Sequence, residues 1–298
     1  EDAAFMYFLQ SFSFAISWLR SAVSPYAARM QITQAILPVA GLGTRMRRDD
    51  PTDLSPEQAS AADAGSKAML PVGRPFLDYV LSALADADVV DVCIVVAPDD
   101  TLIQRRYDAE LTLDRIRVGF AYQREAKGTA DALLSARGFV GDDHVLVLNA
   151  DNYYPVEVIR ALAALGTPGV PGFDRDALVR LGHIDADRVR AYALLRVDAQ
   201  GFLEDIIEKP DDATFARLHN APVSMNLWSM PPAIFDACER VTPSVRGELE
   251  LPEAVRIAIR EVGVRFTILP FALGVLDLSH RADVPAITAR LQGTQVRL

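Results

Sequence analysis

The stretch that decides the fold is QAILPVAGLGTRM, which runs from Gln34 to Met46. It starts as an apolar run and ends in two glycines, a threonine and an arginine. Such a run, followed at once by a glycine-rich turn, is typical of a buried parallel strand that opens into a ligand-binding loop. Three more β-rich runs follow it, DVCIVVAP, IRVGFAYQ and HVLVLNAD, separated by helix-like stretches at 76–87, 101–111, 129–138 and 155–165.

This alternation of strands and helices predicts an α/β, Rossmann-like fold with a mixed, mostly parallel sheet flanked by helices. The second half is less regular. We expect strands at ALVRLGHI, AYALLRVD, FLEDIIEKP, PVSMNLWSM and RFTILPF, and helices near 232–239, 251–261 and 284–291. The segment 47–65, rich in Pro, Asp, Ser and Ala, predicts a long mobile loop.

Composition limits the classes of function. The 298 residues are 50% hydrophobic, enough for one large core or two fused ones, and the net charge is −10. An acidic chain excludes general affinity for nucleic acid but leaves room for a local basic pocket that binds a small anion. The two cysteines, Cys93 and Cys238, exclude a disulfide framework and a cysteine zinc site, which favours a cytoplasmic protein. The four histidines show no metal-ligand spacing.

Residues 1–29 form a leader of uncertain role. Phe5, Phe8 and Phe12 share one helical face, but acidic residues precede the segment and serines and a glutamine interrupt it. It therefore resembles neither a secretory signal nor a membrane span, and no membrane contact is expected. Two interpretations stay open: upstream translation before a working start at Met30, or an added helix that packs on the body or on a partner.

The loop after the first strand suits a phosphate group. Gly41 and Gly43 let the backbone approach a ligand, Thr44 adds a hydroxyl, and Arg45 adds a permanent charge. A dinucleotide-binding fingerprint would need glycine at Met46, and a P-loop would need Gly-Lys-Ser/Thr, so neither motif is present. Taken alone, the loop is equally compatible with a structural glycine turn.

Six motifs in order give a more specific signal. They read AGLGTRM, SKAMLPVGRPFLDYVL, QREAKGTADALL, LVLNADNYYP, IIEKP and LD, the last at Leu276 and Asp277. The series resembles the sugar-1-phosphate nucleotidylyltransferases over about residues 34–292. Within that family it looks most like the bacterial glucose-1-phosphate uridylyltransferases and thymidylyltransferases.

The resemblance implies nucleotidylyl transfer from an NTP to a sugar 1-phosphate, with Mg²⁺ as cofactor. It implies a nucleotidyltransferase domain at 30–298, with a nucleotide half at about 30–154 and a sugar half at about 155–298. Arg45, Lys67 and Asp151 would be catalytic, and Asp151 and Asp277 would bind the metal. The residues implied to bind substrate are Ala40, Gly41, Leu42, Gly43, Thr44, Gln123, Gly128, Glu208, Lys209 and Asn226.

Several alternatives remain open at this stage. We expect UTP as the nucleotide and glucose 1-phosphate as its partner. One alternative is the same chemistry with dTTP, and another is a homologue that binds nucleotide sugars without turnover. The segment 47–65 is an insertion relative to the family, either a lid or a tolerated surface loop. Tyr192-Ala193 stands where the family usually has Tyr-Gly, and Leu278-Ser279 follows Asp277 in place of a glycine-bearing continuation. A homo-oligomer is compatible with the sequence.

Overall fold

The computed structural model describes residues 31–41, 43–48 and 50–298. The predicted leader, the start at Met30 and the loop residue Leu42 therefore lie outside the described residues. Within the described part, no helix is long and apolar enough to cross a membrane.

A seven-stranded mixed sheet forms the centre of the fold, in the order β10-β6-β9-β4-β1-β2-β3. Two further pairs, β5 with β11 and β7 with β8, form small antiparallel sheets. The strands are β1 (Gln34–Pro38), β2 (Asp91–Val96), β3 (Arg117–Tyr122), β4 (Val145–Leu148), β5 (Asn152–Tyr153), β6 (Gly169–Phe173), β7 (Leu194–Val197), β8 (Leu203–Ile207), β9 (Leu227–Met230), β10 (Thr267–Phe271) and β11 (Leu276–Asp277).

Helices cover both faces of the sheet. They are α1 (Pro56–Asp63), α2 (Phe76–Asp86), α3 (Thr101–Gln104), α4 (Thr129–Ser135), α5 (Arg137–Val140), α6 (Val156–Leu165), α7 (Arg175–Gly182), α8 (Ala186–Arg190), α9 (Asp212–Arg217), α10 (Ala233–Glu239), α11 (Leu251–Ile257) and α12 (Asp283–Leu291). A 3₁₀ turn spans Lys67–Met69, and π turns continue α3 through Arg105–Glu110 and α11 through Ala258–Val262.

The strand pairing confirms the predicted fold class. β1 pairs in parallel with both β2 and β4, and β2 pairs in parallel with β3. β9 runs antiparallel between β4 and β6, which makes the sheet mixed. Because β1 to β4 point the same way, their carboxyl ends meet at one edge of the sheet. Strands from before and after residue 154 share this sheet, and the division into nucleotide and sugar halves stays a prediction.

Two apolar clusters lie on the two faces of the sheet. Along β1, Ala35 and Leu37 belong to one cluster and Ile36 to the other, as the two-residue alternation of a strand requires. The first cluster includes the apolar residues of α2, and the second includes those of α4 and α10. Burial on both faces explains why β1, β2 and β4 read as continuous apolar runs.

Two predictions about local structure were wrong, and one strand was not predicted. Residues 177–184, expected as a strand, lie mostly in α7, where the Asp174 side chain caps the helix by accepting from the Ala177 amide at 2.8 Å. The segment 47–65, expected as a mobile loop, contains α1 behind a capping box of Ser55 and Gln58. The strand β6, with sequence GVPGF, was not predicted, because two glycines and a proline conceal its pattern.

A buried charge network ties α2 to the π turn that follows α3. The Asp78 carboxylate is fully buried and accepts hydrogen bonds from Arg106 Nε at 2.9 Å and from the Tyr107 hydroxyl at 2.7 Å. Arg74, whose side chain is 46% exposed, makes a further contact at 3.1 Å. Burial raises the pKa of Tyr107, and the negative charge of Asp78 raises it further, so this hydroxyl stays a donor.

We expect Asp78→Ala to lower the free energy of unfolding by about 3–5 kcal/mol, because it leaves the Arg106 charge without its partner. Arg74→Ala is the matched control and should cost at most about 1 kcal/mol, since that side chain meets Asp78 from the solvent side. Urea denaturation of both variants measures the two losses. Equal losses would contradict the importance of the buried pair.

Candidate active site

A cleft of about 630 Å³ opens at the carboxyl ends of β1 to β4. Each of these strands leads directly into residues that line it. They are 39–41, 43 and 44 after β1, 97, 99 and 100 after β2, 123, 126 and 128 after β3, and 149–151 after β4. The carboxyl edge of parallel strands is where open α/β sheets bind their ligands. The sequence-based expectation of a site at this edge is therefore met by a real concavity.

The two glycines of the loop have different reasons to be glycine. Gly43 has φ +60°, and a Cβ there would lie 2.2 Å from the carbonyl oxygen of Gly65. Gly41 lines the same cleft, but a Cβ on it would meet nothing within 4 Å. Packing within the protein therefore requires Gly43, whereas the space above Gly41 is open to a ligand.

The inserted segment is packed against this loop. Ala64 and Gly65, just after α1, line the cleft, and Arg47 Nη2 donates to the Ala64 carbonyl at 2.8 Å. Arg281 is 9% exposed, donates from Nε to the Met46 carbonyl at 3.0 Å, and forms an ion pair with Asp63 of α1. One buried guanidinium from the C-terminal part thus holds both the glycine loop and the insertion.

Lys67 and Asp151 meet on the wall of the cleft. Lys67 Nζ lies 2.8 Å from Asp151 Oδ2, although the residues are 84 positions apart in sequence. Their side chains are 18% and 25% exposed, so both remain open to a ligand. The turn at Lys67–Met69 supplies the lysine, and the end of β4 supplies the aspartate. The structure brings these two predicted residues together.

Arg45 is placed differently from what we expected. It is exposed and does not belong to the cleft lining, whereas Thr44 and Arg47 do. Met46 between the two arginines is completely buried, which fixes the loop's orientation. The charge of Arg45 contributes to lowering the pKa of His280, after the larger effect of burial and that of Arg188. The assignment of Arg45 as catalytic stays a prediction, and Arg47 is the arginine that lines the cleft.

The pairing of β11 with β5 brings the backbone of Asp277 next to that of Asp151. β11 pairs Asp277 with Asn152, and the amide of Leu278 donates to the Asp151 carbonyl at 2.9 Å. The Asp277 carboxylate, however, accepts hydrogen bonds from three side chains, which are Arg188 Nη2 at 2.5 Å, Ser279 Oγ at 2.8 Å and the Tyr192 hydroxyl. Burial and the Asp277 charge raise the pKa of Tyr192, which keeps this hydroxyl a donor.

These contacts test whether the two aspartates fit a cation. Asp151 fits, because it is a partly exposed carboxylate in the cleft, and Mg²⁺ uses one or two carboxylates with phosphate oxygens and water. Asp277 fits less well, because its Arg188 contact already neutralises it, and ligation would require that contact to open. Among the described residues no group of three or more His, Cys, Asp or Glu side chains could hold a metal.

Gln123 and Gly128 lie in the cleft as expected. Gln123 is 5% exposed, and its Nε2 donates to the Gly128 carbonyl at 3.0 Å and to Asp131 Oδ2 at 2.8 Å. Gly128 has φ +114°, and a Cβ on it would lie 2.5 Å from the Leu249 carbonyl oxygen. Close packing of the chain therefore explains this glycine.

The residues predicted for the sugar side lie elsewhere. Lys209, in the left-handed backbone region at φ 43°, lines a second groove of about 440 Å³ together with Asp187 and Arg190. Asp187 and Arg190 belong to α8, and Arg188 on the same helix contacts Asp277. The structure does not bring Lys209 into the first cleft.

Glu208 and Asn226 are exposed. Desolvation of the carboxylate by nearby protein atoms, together with the neighbouring Glu250 carboxylate, raises the pKa of Glu208. Asn226 has φ 56°, a backbone conformation that asparagine adopts readily. The carbonyl of the preceding Met225 accepts from the Tyr154 hydroxyl at 2.5 Å, which ties this turn to the segment after Asp151.

Sequence reasoning missed seven polar residues of the cleft, which are Arg47, Ser66, Asp99, Asp100, Thr129, Asn149 and Glu248. For Asp99 and Asp100 a signal existed, because they follow the apolar run of β2 as Asp151 follows that of β4. For Glu248 no such signal existed, because it lies in an irregular segment that is far from these strands in the sequence.

The comparisons with known proteins agree with this geometry. Residues 61–269 match the family model described as Nucleotidyl transferase, which is more than half of the chain. The UTP–glucose-1-phosphate uridylyltransferase AglF of Haloferax volcanii is 29% identical over 87% of this chain and 96% of its own. UTP–glucose-1-phosphate uridylyltransferase 2 of Staphylococcus saprophyticus is 26% identical over 76% of this chain and 80% of its own.

Solved structures show the same fold. A UDP-glucose pyrophosphorylase complexed with UDP-glucose superposes with a TM-score of 0.68 at 18% identity, covering 89% of this chain and 100% of that one. A putative glucose-1-phosphate thymidylyltransferase from Bacillus anthracis gives a TM-score of 0.66 at 18% identity, covering 88% and 96%.

The contrast between the two loop glycines predicts opposite effects on stability. We expect Gly43→Ala to destabilise the fold by more than about 1 kcal/mol, because it combines a positive φ with a collision against backbone. Gly41→Ala should change the free energy of unfolding by less than about 1 kcal/mol, because its Cβ enters open space. Thermal unfolding of the unliganded variants measures both effects, and equal destabilisation would show that packing requires both glycines.

Proposed function

The chain belongs to the nucleotidyl transferase family, and we propose that it transfers a nucleotidyl group from UTP to glucose 1-phosphate. The products are UDP-glucose and pyrophosphate. The relatives named UTP–glucose-1-phosphate uridylyltransferase, which align over most of both chains, support this choice of substrates.

The proposed reaction requires charge stabilisation more than proton transfer. An oxygen of the sugar phosphate attacks the α-phosphorus of the nucleotide, a new P–O bond forms, and the bond to the pyrophosphate oxygen breaks. The attacking oxygen is already anionic, so no general base is needed. Catalysis then depends on alignment and on neutralising the phosphate charges.

The single observation that carries the proposal is the pair of Lys67 and Asp151, 2.8 Å apart on the cleft wall. The lysine offers a cation to the phosphates. The aspartate offers an oxygen ligand to a cation, at the edge of the sheet where the glycine loop also ends. The two opposite charges attract each other across this contact, which keeps both side chains directed at the same point.

We propose Mg²⁺ as the cofactor, held by Asp151, with Asp277 as a second ligand if its contact with Arg188 opens. The comparisons name no cofactor, and the proposal depends on the partly exposed carboxylate of Asp151 in the cleft. When bound, Mg²⁺ would neutralise phosphate charge in the transition state. The glycine loop would position the phosphates, and Lys67 would stabilise the negative charge that develops as pyrophosphate leaves.

We assign the sugar phosphate to the second groove, which Lys209 lines. Lys209 and Arg190 supply positive charge to the second groove, and Arg190 is partly engaged by Asp212 at 3.1 Å. For transfer to occur, the sugar phosphate must reach from this groove to the first cleft. Closure of the second groove toward the first cleft is therefore an element of the proposal.

We favour UTP over dTTP because the relatives are named UTP–glucose-1-phosphate uridylyltransferases. Uracil and thymine differ by one methyl group, and a methyl group in an apolar pocket is worth only about 1–3 kcal/mol, so we expect some turnover of dTTP. Release of pyrophosphate from UTP, dTTP, CTP, ATP and GTP with glucose 1-phosphate tests the assignment. A wild-type protein that binds UDP-glucose but releases no pyrophosphate would instead support a homologue without turnover.

We expect Asp151→Asn to fold normally and to lose turnover by about 10²-fold or more, because a neutral amide cannot hold the cation among the phosphates. The matched control is Asp142→Asn, at an exposed position before β4 outside the cleft lining. Pyrophosphate release from UTP and glucose 1-phosphate, with unfolding temperatures for both variants, provides the measurement. Near-normal turnover of Asp151→Asn would remove Asp151 from the mechanism.

The two-groove arrangement makes a separate prediction for Lys209. We expect Lys209→Ala to raise the KM for glucose 1-phosphate about tenfold while leaving the KM for UTP within about twofold, because only the sugar phosphate loses its charge partner. Arg217→Ala removes an exposed cation of α9 that lies outside this groove and serves as control. An equal rise in both constants would contradict the separation of the two substrates.

A further inference from the structure

The orientation of the Gln123 side-chain amide is determined by chemistry. Both partners of its nitrogen, the Gly128 carbonyl and the Asp131 carboxylate, are hydrogen-bond acceptors. If the amide were reversed, its oxygen would face two other oxygens and both bonds would be lost. The NH₂ group therefore points at Gly128 and Asp131.

The two acceptors are themselves held in place. The Gly128 carbonyl also accepts from the Ala132 amide at 3.1 Å, in the first turn of α4. The neighbouring backbone is fixed by Leu249, whose amide donates to the Lys127 carbonyl at 2.6 Å and whose carbonyl accepts from Ala130 at 2.9 Å. Asp131 lies in the same first turn, where a carboxylate interacts favourably with the helix N-terminus.

This arrangement leaves Oε1, a hydrogen-bond acceptor, as the polar atom of Gln123 that a ligand can use. Both hydrogens of Nε2 are used within the protein, and none of the hydrogen bonds among the described residues ends on Oε1. Because Gln123 lines the first cleft, a base that contacts its side chain meets an acceptor only. A base with an N–H at its pairing edge fits this acceptor, and a base with a lone pair there opposes it.

We propose that Asp131 is a positioning residue for base selection, which fixes Gln123 as an acceptor for the N3–H of uracil or thymine. This inference rests on the proposed function, because it deepens the choice of nucleotide at the same cleft. Cytosine has nearly the same size and shape but carries a lone pair at N3, so the locked amide disfavours it. Asp131 itself does not need to touch the nucleotide.

The experiment is calorimetric titration of UTP and of CTP, each in the presence of Mg²⁺ and without sugar phosphate. We expect the wild-type protein to bind UTP at least about tenfold more tightly than CTP. In Asp131→Asn, the new amide can donate to a reversed Gln123, so the preference for UTP should fall severalfold. The control Asp142→Asn should keep the wild-type ratio.

The ratio of the two affinities separates positioning from a merely structural role. A structural role would weaken UTP and CTP together and leave their ratio unchanged in Asp131→Asn, which would overturn the proposal. A wild-type protein that binds CTP as well as UTP, or that binds neither, would also overturn it. Discrimination between the two nucleotides without release of pyrophosphate on addition of glucose 1-phosphate would refute the proposed function and leave the inference standing.

Discussion

The parallel pairing of β1 with β2 and β4 is the constraint on which the site depends. It brings the loops that follow these strands to one edge of the sheet, whatever their distance along the chain. Lys67 and Asp151 meet at 2.8 Å for this reason. Burial of the strands on both faces fixes their register, because a slip of one residue would exchange the two apolar clusters. The hydrophobic core and the geometry of the cleft are therefore consequences of the same pairing.

A second connection runs through the segment 248–251. Glu248 lines the first cleft, the backbone of Leu249 is bonded to the loop that holds Gln123, and Glu250 lies against Glu208 of the predicted sugar motif. One short segment thus contacts both the backbone beside Gly128, the hydrogen-bond partner of Gln123, and Glu208, a residue proposed to bind the sugar. A shift of this segment would therefore change the surroundings of both Gly128 and Glu208.

The sequence predicted the parallel core well, because β1, β2 and β4 are apolar on both faces and end in short polar loops. It failed where local patterns were ambiguous. Alternating residues at 177–184 suggested a strand, but the cap at Asp174 and burial of Leu178 favour a helix. The capping box of Ser55 and Gln58 was present in the sequence and was overlooked within a segment of loop-like composition.

For the site, the resemblance carried by the motifs pointed to Lys67, Asp151 and Gln123, and all three line the cleft. The motifs could not show that Arg47 rather than Arg45 lines the cleft, since burial of Met46 decides which way the loop turns. They also could not reveal the Arg188 contact of Asp277, which joins residues 89 positions apart. Side-chain partners that come from irregular segments depend on tertiary packing, and no local pattern encodes them.

The central claim is that Lys67 and Asp151 act as one unit in nucleotidyl transfer. A double-mutant cycle with Lys67→Ala and Asp151→Asn, measured as kcat/KM for pyrophosphate release from UTP and glucose 1-phosphate, tests it most directly. If the pair acts together, the double variant will be about as slow as the slower single variant, because residues that act as a unit are strongly non-additive. Losses that multiply in the double variant, or a wild-type protein that releases no pyrophosphate, would contradict the account.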